Sequence, residues 1–259
     1  MRKPIGIFDS GVGGTSIWKE IHRKLPYEDT VYLADSKNAP YGTKPESEIL
    51  KLSRKNTEFL LEQGCKLIVV ACNTATTTAI THLRHTYDVP FIGIEPAIKP
   101  AALHTKTKKV GVLATKGTLA SSLFNNTSKL HAEGIIVLEQ EGKGLVELIE
   151  AGKEQSEEIE ALLRTYLEPM LDAQVDCLVL GCTHYPYLIP LLKELLPKEI
   201  QIIDSGEAVA RQTHSILKQQ NLLSTSTEKG RSIFYTNKDK EVLKNFVKGY
   251  DASVNYLDF

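Results

Sequence analysis

Short apolar runs of strand length alternate with longer amphipathic segments along the chain. The runs predict strands at Ile5–Phe8, Val31–Ala34, Leu67–Ala71, Phe91–Ile94, Val110–Ala114, Ile135–Leu138, Leu178–Gly181 and Ile200–Ile203. Helical spacing predicts helices that begin near Pro45 and that cover about Ser156–Ala173, Leu188–Leu196 and Ala208–Gln220. Strands that alternate with helices are typical of a parallel α/β fold.

The pattern changes towards the C-terminal end. The polar stretch Ser224–Arg231 predicts a surface loop. Phe234 and Tyr235 then predict a late strand at the edge of a sheet.

A weak internal repeat divides the sequence. Residues 4–11 resemble residues 109–116, and each of these segments is followed at a similar distance by an apolar run that ends on a cysteine, Cys72 or Cys182. Each half then continues to another strand that ends in a carboxylate. The repeat predicts two similar α/β units that face each other across a cleft, although two independent doubly wound domains would give the same pattern.

The two cysteines are the strongest candidates for chemistry. Each is followed by small polar residues, in Cys72-Asn-Thr74 and Cys182-Thr-His184. Ligands of open α/β sheets bind at the carboxyl ends of strands, so we expect both thiols in one site. A thiol with a pKa of about 8.5 needs only modest lowering to serve as an acid or base near neutrality. Two thiols that face one carbon can racemise it without a cofactor.

Other interpretations of the thiols fit less well. A metal site usually needs closely paired ligands, and His184 beside Cys182 is too few. A covalent nucleophile would not explain a second copy. A redox pair is expected to show a Cys-x-x-Cys signature, which is absent here. Cys65 and Cys177 lack polar followers, so we expect them in the core.

The segment Asp9–Gly14 follows the first strand and precedes a predicted helix. Its glycines allow a tight turn, and the amides at a helix N-terminus can bind an anion. It departs from the dinucleotide fingerprint and lacks the lysine of a phosphate-binding loop. We predict a carboxylate-binding turn with Asp9 at the cleft; an ordinary strand-to-helix turn is the alternative. The position of His184 favours a role as proton partner of Cys182.

Composition narrows the function further. The 259 residues carry a net charge of −1, and no basic face points to a nucleic-acid partner. The apolar runs are too short to span a membrane. The first strand begins at Ile5, which leaves no room for the apolar region of a signal peptide. We therefore expect a cytoplasmic protein whose four cysteines are reduced.

Four motifs resemble those of bacterial glutamate racemases, members of the aspartate/glutamate racemase superfamily that work without pyridoxal phosphate. They are Phe8-Asp-Ser-Gly-Val-Gly-Gly14, Pro40-Tyr-Gly42, Ala71-Cys-Asn-Thr-Ala75 and Gly181-Cys-Thr-His-Tyr-Pro186. Aspartate racemases of the superfamily typically have an acidic residue where His184 stands, so the resemblance favours glutamate. A racemase for aspartate or another amino acid is the nearest alternative, and a binding or inhibitory protein on the same fold is a more distant one.

The resemblance implies a pseudo-symmetric α/β fold with mainly parallel sheets and an active site in the cleft between two domains. The first domain is expected to comprise residues 1–96 with 206–259, and the second residues 97–205. No metal or organic cofactor is implied. The expected partner is glutamate, with neither membrane nor nucleic acid required, and a homodimer is compatible with this picture.

The resemblance also implies site roles. Cys72, assisted by Asp9, would exchange the proton of D-glutamate. Cys182, assisted by His184 and Glu150, would exchange that of L-glutamate; Glu147 stands three residues from Glu150 and is the alternative carboxylate. The residues expected to bind substrate are Asp9, Ser10, Tyr41, Gly42, Asn73, Thr74, Thr115, Thr183 and His184.

Overall fold

The computed structural model describes residues 2–132 and 134–259. The strands are β1 (Ile5–Asp9), β2 (Thr30–Ala34), β3 (Leu67–Val70), β4 (Phe91–Gly93), β5 (Lys109–Ala114), β6 (Ile136–Glu141), β7 (Cys177–Gly181), β8 (Gln201–Ile203), β9 (Ser232–Thr236) and β10 (Ala252–Tyr256). The helices are α1 (Thr15–Lys24), α2 (Glu46–Glu62), α3 (Asn73–Thr86), α4 (Ile98–His104), α5 (Lys116–Leu119), α6 (Ser122–His131), α7 (Leu145–Glu150), α8 (Glu157–Asp172), α9 (Ile189–Leu195), α10 (Gly206–Gln219) and α11 (Lys240–Phe246). Short 3-10 turns lie at 36–38, 41–43 and 185–188.

The strands form two parallel sheets. The first has the order β10-β9-β2-β1-β3-β4, and the second has the order β6-β5-β7-β8. The arrangement β2-β1-β3-β4 in the first sheet therefore recurs as β6-β5-β7-β8 in the second. The prediction of two similar α/β units with parallel sheets is confirmed.

Burial explains why the strands have continuous apolar sequences. Every residue of β1, β2, β3 and β7 is buried. Strands of a parallel sheet are covered on both faces, so they lack the alternation of a half-exposed strand. This burial is the physical basis on which the sequence pattern predicted them.

The predicted helices are confirmed as α2, α8, α9 and α10, with bounds that differ by one or two residues. In α8, the Ser156 hydroxyl accepts a hydrogen bond from the Ile159 amide and caps the helix. Acidic residues in the first turn of α8 complement the helix dipole. These local interactions stabilise the start of α8, which lies within one residue of the predicted position.

The predicted edge position of the late strand is wrong. Phe234 and Tyr235 lie in β9, which pairs with β2 on one side and with β10 on the other. The sequence reading missed β10, whose residues are mostly polar and half-exposed or exposed. Because β10 pairs with β9, it takes the edge of the sheet instead.

The chain passes from the first sheet to the second after β4 and returns after β8. The two crossings touch, since the Ser205 hydroxyl donates a hydrogen bond to the Glu95 carbonyl at 2.5 Å. The largest buried apolar cluster contains Ile7 and Trp18 from the first unit and Ile149 and Leu178 from the second. The two units therefore share a core. The boundaries at 96/97 and 205/206 stay a prediction.

Candidate active site

Polar residues and cysteines follow the carboxyl ends of two neighbouring strands in each sheet. In the first sheet, Asp9 ends β1 and Cys72 comes shortly after β3. In the second sheet, Thr115 follows β5 and Cys182 follows β7. The repeated strand order thus places one thiol of each sheet beside a polar residue from the neighbouring strand.

The strand ends of the two sheets meet at a narrow cavity. About 260 Å³ of space between atoms lies there, part of it open to solvent. The lining residues are Ser10, Pro40, Tyr41, Gly42, Cys72, Asn73, Thr74, Thr115, Val146, Cys182, Thr183 and His184. A second hollow shares Pro40 and Val146 with the cavity and continues outwards past Lys143. Both thiols therefore line one cavity, and the second hollow adjoins it.

Cys72 caps the N-terminus of α3. Its sulfur accepts a hydrogen bond from the Ala75 amide at 3.4 Å and lies 3.7 Å from the Ser10 hydroxyl oxygen. Burial and the nearby Asp9 raise the pKa of the thiol, and the Ala75 amide and the Ser10 hydroxyl oppose this only in part. These surroundings favour the neutral thiol form of Cys72.

Asp9 is fully buried beside that thiol. Oδ2 accepts a hydrogen bond from the Gly14 amide at 2.7 Å, and Oδ1 lies 3.5 Å from the Ser10 hydroxyl and 3.4 Å from the Thr183 hydroxyl. Burial raises the pKa of Asp9 to about 6, although the charge of His184 lowers it. Asp9 reaches the sulfur of Cys72 through Ser10.

Cys182 has a different partner. Its sulfur lies 3.8 Å from Nδ1 of His184, and Nε2 of the same ring lies 2.6 Å from Oε1 of Glu150. Burial lowers the pKa of His184, but its hydrogen bonds with Cys182 and Glu150 outweigh this and hold the pKa well above the usual value. Glu147 is exposed on the same helix, so Glu150 is the carboxylate that touches the imidazole.

Asn73 brings unused hydrogen-bonding capacity to the cavity. Its side chain is buried, and within the described residues neither its Oδ1 nor its Nδ2 has a partner. Buried amides are normally satisfied, so this pair of atoms suits a polar ligand. Thr74 and Thr115 lie 3.0 Å apart, oxygen to oxygen, and link α3 to the start of α5.

The Tyr41 hydroxyl makes its hydrogen bonds within the protein. It donates to Oδ2 of Asp35 and accepts from the Asn56 amide at 3.1 Å. Tyr41 and Gly42 still line the cavity. Tyr41 is therefore suited to shape the wall of the cavity, while its role in binding stays a prediction.

The glycine turn binds carboxylates, but they belong to the protein itself. The Val12 amide donates to Oε1 of Glu150 at 2.6 Å, and the Gly14 amide donates to Asp9. The sequence predicted this type of interaction without revealing which carboxylates take part.

Sequence reasoning missed two residues near the cavity. Val146 lies in an apolar stretch that gives no sign of a site, and it lines the cavity. The Thr118 hydroxyl lies 3.0 Å from that of Thr115. The only signal for Thr118 in the sequence is that it lies about one helical turn after the candidate Thr115.

The other two cysteines lie in the core. Cys65 and Cys177 are buried in separate apolar clusters, as expected, and all four cysteines are free. Burial raises the pKa of Cys65 to about 12 and that of Cys177 to about 11. Across residues 2–132 and 134–259, no group of three or more histidine, cysteine or acidic side chains is arranged to hold a metal ion. Nor does this part of the chain contain a helix long and apolar enough to span a membrane.

Comparison with known proteins agrees with this geometry. A family profile described as Asp/Glu/Hydantoin racemase matches residues 5–213. The chain belongs to this family. A glutamate racemase from Herpetosiphon aurantiacus is 46% identical to this chain over 237 residues, which cover 92% of this chain and 93% of that protein.

Solved structures agree over nearly the whole chain. A glutamate racemase isoform from Bacillus anthracis superimposes with a TM-score of 0.87 at 30% identity and covers 99% of this chain and 98% of its own. The glutamate racemase of Escherichia coli, in complex with L-glutamate and the activator UDP-MurNAc-ala, gives a TM-score of 0.87 at 33% identity with the same coverage. The two-unit α/β architecture is therefore that of the solved glutamate racemases.

Proposed function

We propose that this protein is a glutamate racemase that interconverts L-glutamate and D-glutamate by proton transfer at two thiols, without a cofactor. One observation carries the proposal: Cys72 and Cys182 come from different sheets, line one cavity and have separate acid–base partners. In the cytoplasm, the product D-glutamate would supply the synthesis of peptidoglycan precursors.

The two partner sets suit opposite directions of the reaction. For D-glutamate, Cys72 would remove the α-proton with Asp9 acting through Ser10, and Cys182 would deliver a proton to the other face. For L-glutamate, Cys182 would act first as a thiolate, with the protonated His184 ring facing it at Nδ1. Each turnover leaves one cysteine protonated and the other deprotonated, so the roles reverse for the return reaction.

The α-proton of an amino acid is very weakly acidic, so the cavity must stabilise the carbanion that forms. The Asn73 amide group and the hydroxyls of Thr74 and Thr183 can hold the substrate's charged groups. The N-terminus of α3 directs its dipole towards the same place. Fixed dipoles in a dry cavity stabilise developing charge more strongly than water does, because they need no reorganisation.

Glutamate is favoured over aspartate by the motif resemblance and by the comparisons. The resemblance implies that His184 stands where aspartate racemases typically have an acidic residue. The relatives that match nearly the whole chain carry the name glutamate racemase, and the solved Escherichia coli relative holds L-glutamate.

The test is a turnover assay on the purified chain. Each glutamate enantiomer is incubated in deuterated water, and the products are separated chirally and analysed by mass spectrometry. We expect deuterium at the α-carbon of the product enantiomer well before it enters recovered substrate. Parallel arms contain aspartate, or glutamate with UDP-MurNAc-alanine. Turnover of aspartate alone would support the alternative racemase, and absence of inversion in every arm would support a binding protein.

A further inference from the structure

The turn between β1 and α1 reaches the acid–base pair of the other unit. The Val12 amide donates to Oε1 of Glu150 at 2.6 Å, and the Gly13 amide donates to Nε2 of His184 at 3.2 Å. The Oε1 atom that binds Val12 is the one that lies 2.6 Å from Nε2. All of these groups are buried, so water does not compete for them.

The glycines of this turn are required for space. A Cβ atom on Gly11 would lie 1.8 Å from Oε1 of Glu150, and one on Gly13 would lie 2.2 Å from Nδ1 of His184. Neither glycine has a positive φ, so backbone conformation alone would tolerate a side chain. Glycine is present because Glu150 and His184 press against the backbone.

We propose that this turn positions the His184–Glu150 pair for proton exchange with Cys182; the proposal rests on the racemase function. Oε1 of Glu150 accepts from the Val12 amide and lies 2.6 Å from Nε2 of His184, so the turn holds the carboxylate against the ring. Nδ1 of the same ring faces the sulfur of Cys182. By fixing the place of the carboxylate and of the ring, the turn sets the geometry in which Nδ1 meets the thiol.

The competing interpretation is that the turn binds a carboxylate of the substrate. The amides of residues 12, 13 and 14 are already directed at Glu150, His184 and Asp9. A substrate carboxylate on these amides would have to displace a protein carboxylate from a buried position. Such displacement would break the contact that holds His184, so the two interpretations predict different kinetics.

A double-mutant cycle separates the two interpretations. Gly11→Ala pushes on the Glu150 carboxylate, and Glu150→Asp withdraws that carboxylate by one methylene. We expect Gly11→Ala to lower kcat by about 10- to 100-fold, with the larger effect on proton abstraction from L-glutamate. KM should stay within about threefold, because the interaction acts on the transition state. The kcat of the double variant should be about tenfold higher than the product of the two single losses predicts.

Gly14→Ala is the matched control in the same turn. Its Cβ would lie 2.7 Å from Cβ of Asp9, so this variant should slow proton abstraction from D-glutamate more than from L-glutamate. Gly13→Ala presses on the imidazole and is the second test variant if Gly11→Ala does not fold. A raised KM with unchanged kcat, and no recovery in the double variant, would establish the substrate subsite and overturn the positioning role.

A second measurement is independent of turnover. The ¹⁵N chemical shifts of the His184 ring report which nitrogen is protonated, and we expect Gly11→Ala or Gly13→Ala to change them. Unchanged shifts in a folded variant would overturn the proposal. If Gly11→Ala or Gly13→Ala changes these shifts but the wild type does not racemise glutamate, the proposed function fails while the positioning of the imidazole stands.

Discussion

Replacement of Asp9 by asparagine is expected to stabilise the fold at neutral pH while it impairs catalysis. Burial raises the pKa of this carboxyl from 3.8 to about 6. The folded protein therefore binds the proton more tightly than the unfolded chain does. As the pH rises from about 4 to 6, ionisation of Asp9 lowers stability, and above pH 6 the whole loss is present. Asp9→Asn removes this loss of stability, because asparagine does not ionise.

The magnitude follows from the pKa difference. One pKa unit corresponds to about 1.4 kcal/mol, so a rise from 3.8 to about 6 corresponds to about 3 kcal/mol at pH 8. An asparagine can still accept from the Gly14 amide, and its NH₂ group can donate to Ser10 or Thr183. At roughly 2–4 °C per kcal/mol for a chain of this size, Tm should rise by about 6–12 °C at pH 8 and hardly at all at pH 4.

The assay is thermal unfolding followed by calorimetry at pH 4, 6 and 8. Asp176→Asn is the control of opposite sign. Partial burial of Asp176 is outweighed by hydrogen bonds from Thr105, Thr107 and the Lys106 amide, which lower its pKa to about 2. Its ionised form stabilises the fold above pH 4, so this variant should lose stability at pH 8. A lower Tm for Asp9→Asn at pH 8, or a shift that does not depend on pH, would refute the reasoning.

Three further predictions concern the reaction. Cys72→Ala and Cys182→Ala should each abolish interconversion while circular dichroism shows an intact fold; near-normal racemisation by either variant would exclude the two-thiol mechanism. His184→Asn should slow deprotonation of L-glutamate more than that of D-glutamate by part of the 10²–10⁴-fold typical of acid–base assistance, measured by isotope effects on each step. Equal changes in both directions would remove this pairing. Chelators and carbonyl reagents should leave activity intact; loss restored by added metal or pyridoxal phosphate would contradict the cofactor-free mechanism.

The sequence predicted the thiols and the architecture because both rest on local pattern. A buried parallel strand is a continuous apolar run, and its end is visible where Cys72 or Cys182 interrupts it with polar residues. The strand order repeats because the pattern repeats. β10 escaped prediction because its apolar residues are sparse and half-exposed, which resembles a loop.

His184 was predicted as a partner from its place two residues after Cys182, but its own partner Glu150 was not accessible to this reasoning. Glu150 and His184 are distant in sequence, and helical periodicity treats Glu150 and Glu147 alike. In the folded protein, Glu150 is buried against the Val12 amide and His184, whereas Glu147 is exposed. The pairing was implied by family resemblance and not by spacing. In the same way, the sequence indicated that the glycine turn could hold a carboxylate, but three-dimensional packing decided which one.

The hydrogen bond between Ser205 and the Glu95 carbonyl has a mechanical consequence. It ties the passage of the chain that leaves the first sheet after β4 to the passage that returns after β8. The Val12–Glu150 and Thr183–Asp9 contacts both cross between the units. A change that separated the two units would therefore break both contacts at once. The surroundings of Asp9 and of Glu150, one beside each thiol, thus depend on the same approach of the two units.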